Sequence, residues 1–453
     1  MPSPAEWVRF KKHARRMRQL RLKLFEEPIP YDVLSALQLR ALNEPLLPNL
    51  KILELKEAAP DIISFIPLFL SHTIVYIDIQ FATAPPAVMI ASMIINLPTL
   101  CPHLRYIALH PLSSEDSTIT TAVSEMLLAC NLDALRCLLV DSALTEEASR
   151  VVYRLPHLRR LSSVFREPPS LPEVSLPNLT LLDVEYHHDH SWLRAFHGAT
   201  LSKLAEVTFR AECEHIGGFL EAFENVALAT SASATLSKFE FYTSCPWNPN
   251  YHSLLSFKQL KELVIEFSCD NGCCSRVDDG IITTLAQAMP KLEILELGRA
   301  PCHVPSNVTV QGLIALAHHC IGLSRLCIHF QTDSLIVALA NEDAVPSAPD
   351  GESHLPRGIC ALTSLVVGEI PLVHHYSLTI SFTLLRIFPR LLDIEYVDEV
   401  WKWVADTITL SKQIDSFVHR SGKTRPLCSQ RPALISLQEC ALEVESAPED
   451  GQG

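Results

Sequence analysis

Side chains that commonly bind metal ions are grouped at two places in this sequence. The first is H-H-D-H at residues 187–190, where adjacent histidines on a strand or turn would point apart. The second comprises Cys269, Cys273 and Cys274, with Cys302 and His303 downstream. Its C-x3-C-C spacing lacks the C-x2-C of structural zinc sites. We therefore predict a surface loop at the first place and keep zinc binding at the second as an alternative.

The sequence contains none of the short motifs that mark common catalytic sites. There is no G-x-S-x-G, G-x-x-x-x-G-K-[ST], G-x-G-x-x-G or H-E-x-x-H. The chain has only 14 glycines, which leaves little room for a phosphate-cradling loop. His318, His319 and Cys320 lie at a predicted helix end, where histidine suits the helix dipole. The prediction is a protein that is not an enzyme and has no catalytic residue, metal or cofactor.

Composition narrows the class of protein further. The formal net charge of −14 argues against binding nucleic acid through the whole surface. The 14 cysteines are scattered, and several lie in apolar runs, so we predict buried free thiols in a reducing compartment. The N-terminus is charged where a signal peptide would be apolar, and residues 82–97 contain two prolines and are short for a membrane span. These features predict a soluble protein of the cytoplasm or nucleus, bound to no membrane.

The elements that would carry any site come from an internal repeat. L-P-N-L-K-I-L-E-L at residues 47–55 is repeated closely at residues 176–184 and 289–297. Reduced to L-x-x-L-x-L, the unit recurs every 21 to 39 residues, with a mean near 28. Met17 is a candidate start for a degenerate fourteenth unit. The other thirteen begin at Leu50, Ile74, Leu104, Leu135, Leu158, Leu179, Leu204, Leu236, Leu260, Leu292, Leu323, Leu362 and Leu391.

Period and pattern match a leucine-rich repeat. The last two apolar positions of each unit are two residues apart and so face the same side of a short strand. Four intervening stretches have helical periodicity, starting at Thr120, Phe219, Gly280 and Val310. In the third, the spacing predicts that Ile281, Leu285 and Ala288 face the core, and Asp278, Asp279 or Thr309 are candidate N-caps. The predicted fold class is α/β, an irregular leucine-rich-repeat solenoid with a curved parallel sheet on the concave side and helices outside.

One departure from the familiar repeat predicts distortion. Asparagine or cysteine usually follows the third apolar position by three residues, but here Ala58, Leu112, His187, Glu212 and Ala300 stand there. The predicted organisation is a helical lead-in over residues 1–46 and a solenoid over residues 47–410. A polar, Pro/Gly-rich segment at residues 341–358 is predicted to be a disordered insertion, and residues 411–453 a partly disordered tail.

The N-terminal segment is strongly basic. Eight lysines and arginines fall between residues 9 and 23, so residues 1–23 carry +7 and the remainder −21. At helical spacing Trp7, Phe10, Ala14 and Met17 form an apolar face. A helix that caps the open end of the solenoid is the favoured interpretation. A nuclear-import or nucleic-acid patch is the alternative.

The stretch W-V-R-F-K-K-H-A-R-R-M-R-Q-L, residues 7–20, also resembles the segment after the F-box in fungal F-box proteins with leucine-rich repeats. The repeat units and the region of Trp401 and Trp403 are similar in style, and the resemblance covers most of the chain. In that family the F-box docks on the adaptor of a cullin ubiquitin ligase, and the repeats select the substrate. No F-box-like L-P-x-E-[IL]-L-x-x-[IV]-F stretch precedes Trp7. The adaptor is therefore an expected partner only where an F-box lies upstream.

The concave face should contact the partner. Its side chains lie two, four and six residues after each repeat start, and twelve of them are acidic against five basic, Lys56, Arg160, Arg210, Lys238 and Arg325. We predict an acidic face that prefers a basic partner segment, with ordinary solvated strand faces as the alternative. The candidate partner-binding residues are Glu54, Asp78, Asp183, Glu206, Glu240, Glu262 and Glu296; the other acidic positions are Asp141, Glu185, Glu266, Asp393 and Glu395.

Two functions remain open. One is the substrate-recognition part of an F-box-type ubiquitin-ligase receptor. The other is a stand-alone repeat scaffold or inhibitor with no link to ubiquitin.

Overall fold

Fourteen parallel strands form a single sheet in the described part of the chain, and they follow one another in sequence order. The structure is a computed structural model. It describes residues 3–23, 30–41, 44–110, 116–165, 174–186, 192–193, 196, 199–211, 218–243, 250–267, 277–298, 306–340, 360–367, 376–396 and 399–420. The strands are β1 (Gln19–Lys23), β2 (Ile52–Ala58), β3 (Tyr76–Phe81), β4 (Tyr106–His110), β5 (Cys137–Ala143), β6 (Arg160–Phe165), β7 (Leu181–Tyr186), β8 (Glu206–Ala211), β9 (Lys238–Thr243), β10 (Glu262–Phe267), β11 (Ile294–Leu297), β12 (Arg325–Ile328), β13 (Ser364–Val367) and β14 (Asp393–Tyr396).

Helices and 3₁₀ turns connect the strands and cover one side of the sheet. The α-helices are α1 (Pro4–Ala14), α2 (Tyr31–Ala41), α3 (Ala87–Leu100), α4 (Ser117–Ala129), α5 (Glu146–Val152), α6 (Phe219–Ala229), α7 (Asp279–Ala288), α8 (Val310–His319), α9 (Thr332–Ala340), α10 (Ser377–Ile387) and α11 (Val400–Arg420). The four helices predicted from periodicity correspond to α4, α6, α7 and α8 and are confirmed. The chain folds as an α/β leucine-rich-repeat solenoid, with the parallel sheet on the concave side and the helices outside.

All thirteen repeat starts are confirmed, because each described strand from β2 onward begins two residues after one of them. Leu50 precedes Ile52, for example, and Ile52 is in register with Tyr76 on β3. Lys238 and Glu262, each two residues after a predicted start, are likewise in register. The apolar period alone therefore gave the register of the sheet.

Met17 begins one further repeat unit, which is the first along the chain and brings the total to fourteen. Gln19, two residues later, is in register with Ile52, and β1 pairs with β2 along its whole length. The side-chain amide of Asn49 donates to the carbonyl of Arg15 at 2.8 Å. Asn178 makes the matching bond to Pro156, also two residues before a repeat start, at 2.7 Å. The sheet thus begins inside the 1–46 segment predicted as a helical lead-in, before the predicted boundary at residue 47.

The core lies between the sheet and the helices. In the second unit Leu50, Leu53 and Leu55 are at most 1% exposed, as the L-x-x-L-x-L pattern requires. Full burial of each such leucine contributes about 1.5–3 kcal/mol. Around β8 and β9 the core is aromatic, with Phe209 and Phe219 rings meeting edge to face at 4.9 Å. A single unit buries no such core alone, so the units must stack.

The apolar face predicted for α7 is confirmed and is wider than the three predicted residues. Leu285 is buried, and Ile281 and Ala288 are half-buried and pack against the core. Ile282 and Ala286, which adjoin them on the helix surface, are buried as well. The capping predictions are also confirmed. Asp278 accepts a bond from the Ile281 amide and caps α7, and Thr309 caps α8.

The predicted irregularity is present. The β2–β3 register shifts between Leu55 and Ala58, one of the positions where asparagine is missing. A 3₁₀ helix, Pro60–Leu68, replaces the α-helix in that unit. Hydroxyl groups at the strand starts supply part of the missing inter-unit bonding. Thr180 donates to the Arg159 carbonyl at 2.9 Å.

At the C-terminal end, α11 runs through the predicted boundary between residues 410 and 411, so the helix extends beyond it to Arg420. Trp401 is fully buried and its ring meets Phe330 edge to face at 6.0 Å. Trp403 on the same helix is 60% exposed. The predicted insertion at residues 341–358 and the chain beyond residue 420 lie outside the described residues.

Candidate functional site

The side of the sheet that faces away from the helices is the candidate site, and we call it the open face. Strand alternation creates it, since neighbouring side chains point to opposite sides. Along β7, Leu182, Val184 and Tyr186 are buried in the core, while Leu181 and Asp183 lie half-exposed on the open face. The described helices pack against the buried strand positions on the other side of the sheet.

All seven candidate binding residues lie on the open face. Their exposure differs: Glu206 is exposed, whereas Asp78 and Glu296 are each only 8% exposed. The seven lie on seven strands, β2, β3 and β7 to β11, so they do not form one compact cluster. They are Glu54, Asp78, Asp183, Glu206, Glu240, Glu262 and Glu296.

Ion pairs within the sheet neutralise part of this acidic charge. Lys238 lies between two carboxylates, 2.9 Å from Glu240 and 3.2 Å from Glu262. Burial lowers the pKa of Lys238, but its hydrogen bonds to the two carboxylates outweigh burial and raise it overall. Arg325 is shared in the same way by Glu296, at 2.8 Å, and Glu395, at 2.6 Å.

Two further candidates have basic partners. Glu54 contacts Arg21 at 3.0 Å and Lys56 at 3.3 Å. Asp183 accepts a hydrogen bond from Arg210. The open face is therefore a series of ion pairs with a remaining acidic excess, because two of its basic residues each serve two carboxylates.

The N-terminal half of the open face carries a group of side chains that sequence reasoning missed. The rings of Tyr76 and Tyr106 stack with centroids 4.0 Å apart and an interplanar angle of 14°. The Tyr76 hydroxyl donates to Asp78 Oδ2 at 3.3 Å. Burial raises the pKa of Tyr76, so it stays a donor at neutral pH. The sequence could have predicted this pair, because a tyrosine stands at the same position of two successive units, two residues after Ile74 and Leu104.

His110 lies close to this group at the end of β4. Its Nδ1 is 2.8 Å from Asp141 Oδ1 on β5. Burial lowers the pKa of His110, but the hydrogen bond and charge of Asp141, together with the charges of Asp78 and Asp183, raise it overall. This part of the open face therefore changes its charge as pH passes through the histidine range.

The described residues offer no group of three His, Cys, Asp or Glu side chains that could hold a metal ion. Both sets considered from the sequence, residues 187–190 and the set of Cys269, Cys273, Cys274, Cys302 and His303, lie outside the described residues.

The cysteines and the paired histidines that the structure describes have ordinary structural positions. Cys101, Cys137 and Cys320 are buried free thiols, as predicted, and burial raises the pKa of each to about 12. Such thiols are poor nucleophiles because the thiolate is the reactive form. His318 and His319 end α8, as predicted. Burial lowers the pKa of His319, and the charge of the neighbouring His318 lowers it further.

Comparison with known proteins adds little to the geometry. No protein-family model matches the chain, and no curated protein is detectably related to it. Among solved structures, the chain is similar to a leucine-rich-repeat protein of Leptospira interrogans, at 12% identity and a TM-score of 0.35, over 88% of this chain and 90% of that one. It is also similar to a chain of the yeast Rad7–Elc1 complex, at 14% identity and a TM-score of 0.35, over 89% of this chain and 87% of that one. The fold assignment rests on the strand order and registers of the chain itself.

In the part of the chain that the structure describes, no helix combines the length and the hydropathy needed to span a bilayer.

Proposed function

We propose that this chain is a protein-recognition module that binds a segment of another protein on the open face. The observation that carries the proposal is the face itself: fourteen strands lie side by side in register, and every one but β13 presents a charged or aromatic side chain on it. Such a surface matches an extended partner, since each strand adds one row of contacts. We propose that it acts by binding alone, and the lack of catalytic motifs in the sequence supports this.

The preferred partner segment is basic. Support comes from the shared cations, since Lys238 and Arg325 each face two carboxylates and leave negative charge at both places. Glu206, on the neighbouring strand β8, is exposed and makes no ion pair with the residues described. Electrostatic attraction would raise the rate of encounter with a basic segment and weaken with salt.

Selection of binders from a random 12-residue peptide library on the purified chain tests this proposal. We expect the selected peptides to be rich in arginine and lysine. Affinity should fall about tenfold or more, roughly 1.4 kcal/mol, when Glu240→Lys and Glu262→Lys are combined. The matched control combines Glu125→Lys and Glu147→Lys, which make the same charge change at exposed positions on α4 and α5. Equal losses in both double variants, or no loss in either, would reject the open face as the binding surface.

The finer proposal is that the chain is the substrate-recognition part of an F-box-type ubiquitin-ligase receptor. Its support is the resemblance of residues 7–20 to the segment that follows the F-box in that family. In the structure Trp7 and Phe10 of this segment stack at 5.1 Å and pack against the core. A cullin-ligase adaptor would be a second partner only where an F-box lies upstream.

The alternative is a stand-alone scaffold or inhibitor with the same open face and no link to ubiquitin. Sequencing the 5′ end of the transcript separates the two. An in-frame F-box upstream, together with co-purification of the full-length product with the cullin adaptor, supports the receptor. A complete transcript without an F-box, whose product leaves the adaptor unbound, supports the scaffold.

A further inference from the structure

Asp78 is a buried carboxylate with an incomplete set of partners. It lies on the open face at the centre of β3, yet only 8% of it is exposed. One oxygen, Oδ2, accepts the Tyr76 hydroxyl at 3.3 Å, which is long for such a bond. The other, Oδ1, is buried and has no hydrogen-bond partner among the residues described. An unsatisfied buried carboxylate costs free energy, so its position calls for an explanation beyond folding.

The neighbouring strand increases this cost. Asp78 is in register with Glu54 on β2, a second carboxylate. Arg21 and Lys56 both contact Glu54, but neither forms an ion pair with Asp78. Burial raises the pKa of Asp78 and the charge of Glu54 adds to this effect. The hydrogen bond from Tyr76 lowers the pKa, but the overall shift is upward. Each of these features would be relieved by one additional positive charge.

The two stacked tyrosines give the same part of the face an aromatic surface. Tyr76 and Tyr106 are half-buried, so parts of both rings remain accessible. Aromatic rings attract cations, and a planar guanidinium can lie against such a surface while it donates to a carboxylate. Aromatic rings and an unsatisfied carboxylate side by side are therefore suited to one kind of ligand group.

We propose that Tyr76, Tyr106 and Asp78 form the binding site for one arginine side chain of the partner segment. The guanidinium lies against the tyrosine pair and donates to the Asp78 carboxylate, supplying the partner that Oδ1 lacks. The site rests on the proposed function, because the arginine belongs to a bound protein segment, and it fixes where on the open face that segment is anchored. Asp78 turns to meet the ligand, and its single long hydrogen bond offers little resistance.

Arginine fits this site better than the other candidate cations. A lysine ammonium is a strongly hydrated point charge and makes no planar contact with the rings. A metal ion would need at least a third ligand, and the described residues provide no such group here. The nearby imidazole of His110 is bonded to Asp141 and so does not satisfy Asp78.

Nuclear magnetic resonance of the full chain with labelled tyrosine rings tests the site directly. The probe is acetyl-Gly-Arg-Gly-amide, compared with the same peptide carrying lysine or glutamine. We expect the Tyr76 and Tyr106 ring signals to shift saturably with the arginine probe, and about tenfold weaker binding for the glutamine probe. Equal affinity for all three probes, or no shift of either ring, would overturn the proposal.

Two variants with the same charge change separate the site from general attraction. Asp78→Asn should weaken arginine binding about tenfold. Glu147→Gln, at an exposed position on α5 and outside the open face, should leave it unchanged. The thermal midpoint of Asp78→Asn should not fall, since the substitution removes a buried charge. If that variant fails to fold, Tyr106→Leu provides the second test and should also weaken binding.

The outcomes also separate this site from the proposed function. If library peptides bind the open face and their affinity is unchanged by Asp78→Asn, the arginine site is wrong and the proposal of a protein-recognition module stands. If no peptide binds the open face while the arginine probe still shifts the tyrosines, the site stands and the proposed function fails.

Discussion

His110 shows how single residues set the charge of the open face. Its ring contacts Asp141 at 2.8 Å, and the charges of Asp78 and Asp183 add to the attraction. Together they overcome burial and raise its pKa, so the charged form is favoured in the folded state. A raised pKa contributes stability that is fully present below the unfolded-state pKa and is lost as pH rises through the folded-state pKa.

We therefore expect Asp141→Asn to lower the pKa of His110, measured by following its ring proton during a pH titration. The thermal midpoint should also fall, and the difference from wild type should shrink as pH rises above the folded-state pKa of His110. Glu146→Gln is the control, because Glu146 is exposed on α5 and pairs with Arg150 instead. An unchanged His110 titration in Asp141→Asn would show that the contact has no electrostatic weight.

Elements are joined to one another by specific polar contacts as well as by the core. Asp279, at the start of α7, accepts bonds from Thr309 N at 2.7 Å, Thr309 Oγ1 at 2.6 Å and Gly312 N at 3.0 Å. One carboxylate thus holds the first turn of the next helix, α8. The close approach needs a glycine, because a Cβ on Gly312 would lie 2.6 Å from Asp279 Oδ1 and 3.0 Å from Val308 Cγ1.

Gly312→Ala is expected to destabilise the fold by about 1–3 kcal/mol, although alanine is intrinsically the better helix former by about 1 kcal/mol. The free energy of unfolding in urea measures this. In an Asp279→Ala background the same substitution should cost clearly less, because the carboxylate it meets is gone. Additive effects of the two substitutions would mean that they do not interact.

Helix α7 also shows which features of an element the sequence pattern predicts and which it does not. Its apolar residues share one face, but periodicity alone does not say how deeply each is buried. Packing against the sheet and α8 buries Ile282 and leaves Ile281 half-buried. The cap at Asp278 was predictable because it depends on the amides of its own first turn. The bonds of Asp279 were not, since their partners lie about 30 residues away.

At the scale of the whole molecule, the solenoid is stabilised by contacts between neighbouring units. A loss at one end should therefore remain local, as expected for a quasi-one-dimensional array. Helix α11 at the C-terminal end offers two tryptophans two residues apart for this comparison, Trp401 fully buried and Trp403 60% exposed.

Trp401→Ala should destabilise the C-terminal units by about 3–5 kcal/mol, the usual cost of removing a buried aromatic side chain. Hydrogen exchange should show faster exchange in β12 to β14 and unchanged protection in β2 to β5. Trp403→Ala should change exchange little anywhere. Uniformly faster exchange along the sheet in the first variant would mean that the array unfolds as a single unit.

The sequence by itself determined the repeat, the strand positions, their register and the face on which each strand side chain lies. A period of two residues fixes the side of a strand, and a repeated anchor aligns one unit with the next, so Leu50 and Leu260 both predict their strands. The same local rules indicated Met17 as a repeat start and placed all seven acidic candidates on the open face.

Only the tertiary structure decided which of those residues act together. The contacts of Lys238 with carboxylates on two strands and the stack of Tyr76 on Tyr106 join residues of adjacent units. The packed sheet also buries Asp78 Oδ1 without a hydrogen-bond partner among the residues described. Spacings between units vary from 21 to 39 residues, and side-chain rotamers are set by neighbours across the sheet. Contacts of this kind have no local signature, because they exist only after the strands are side by side.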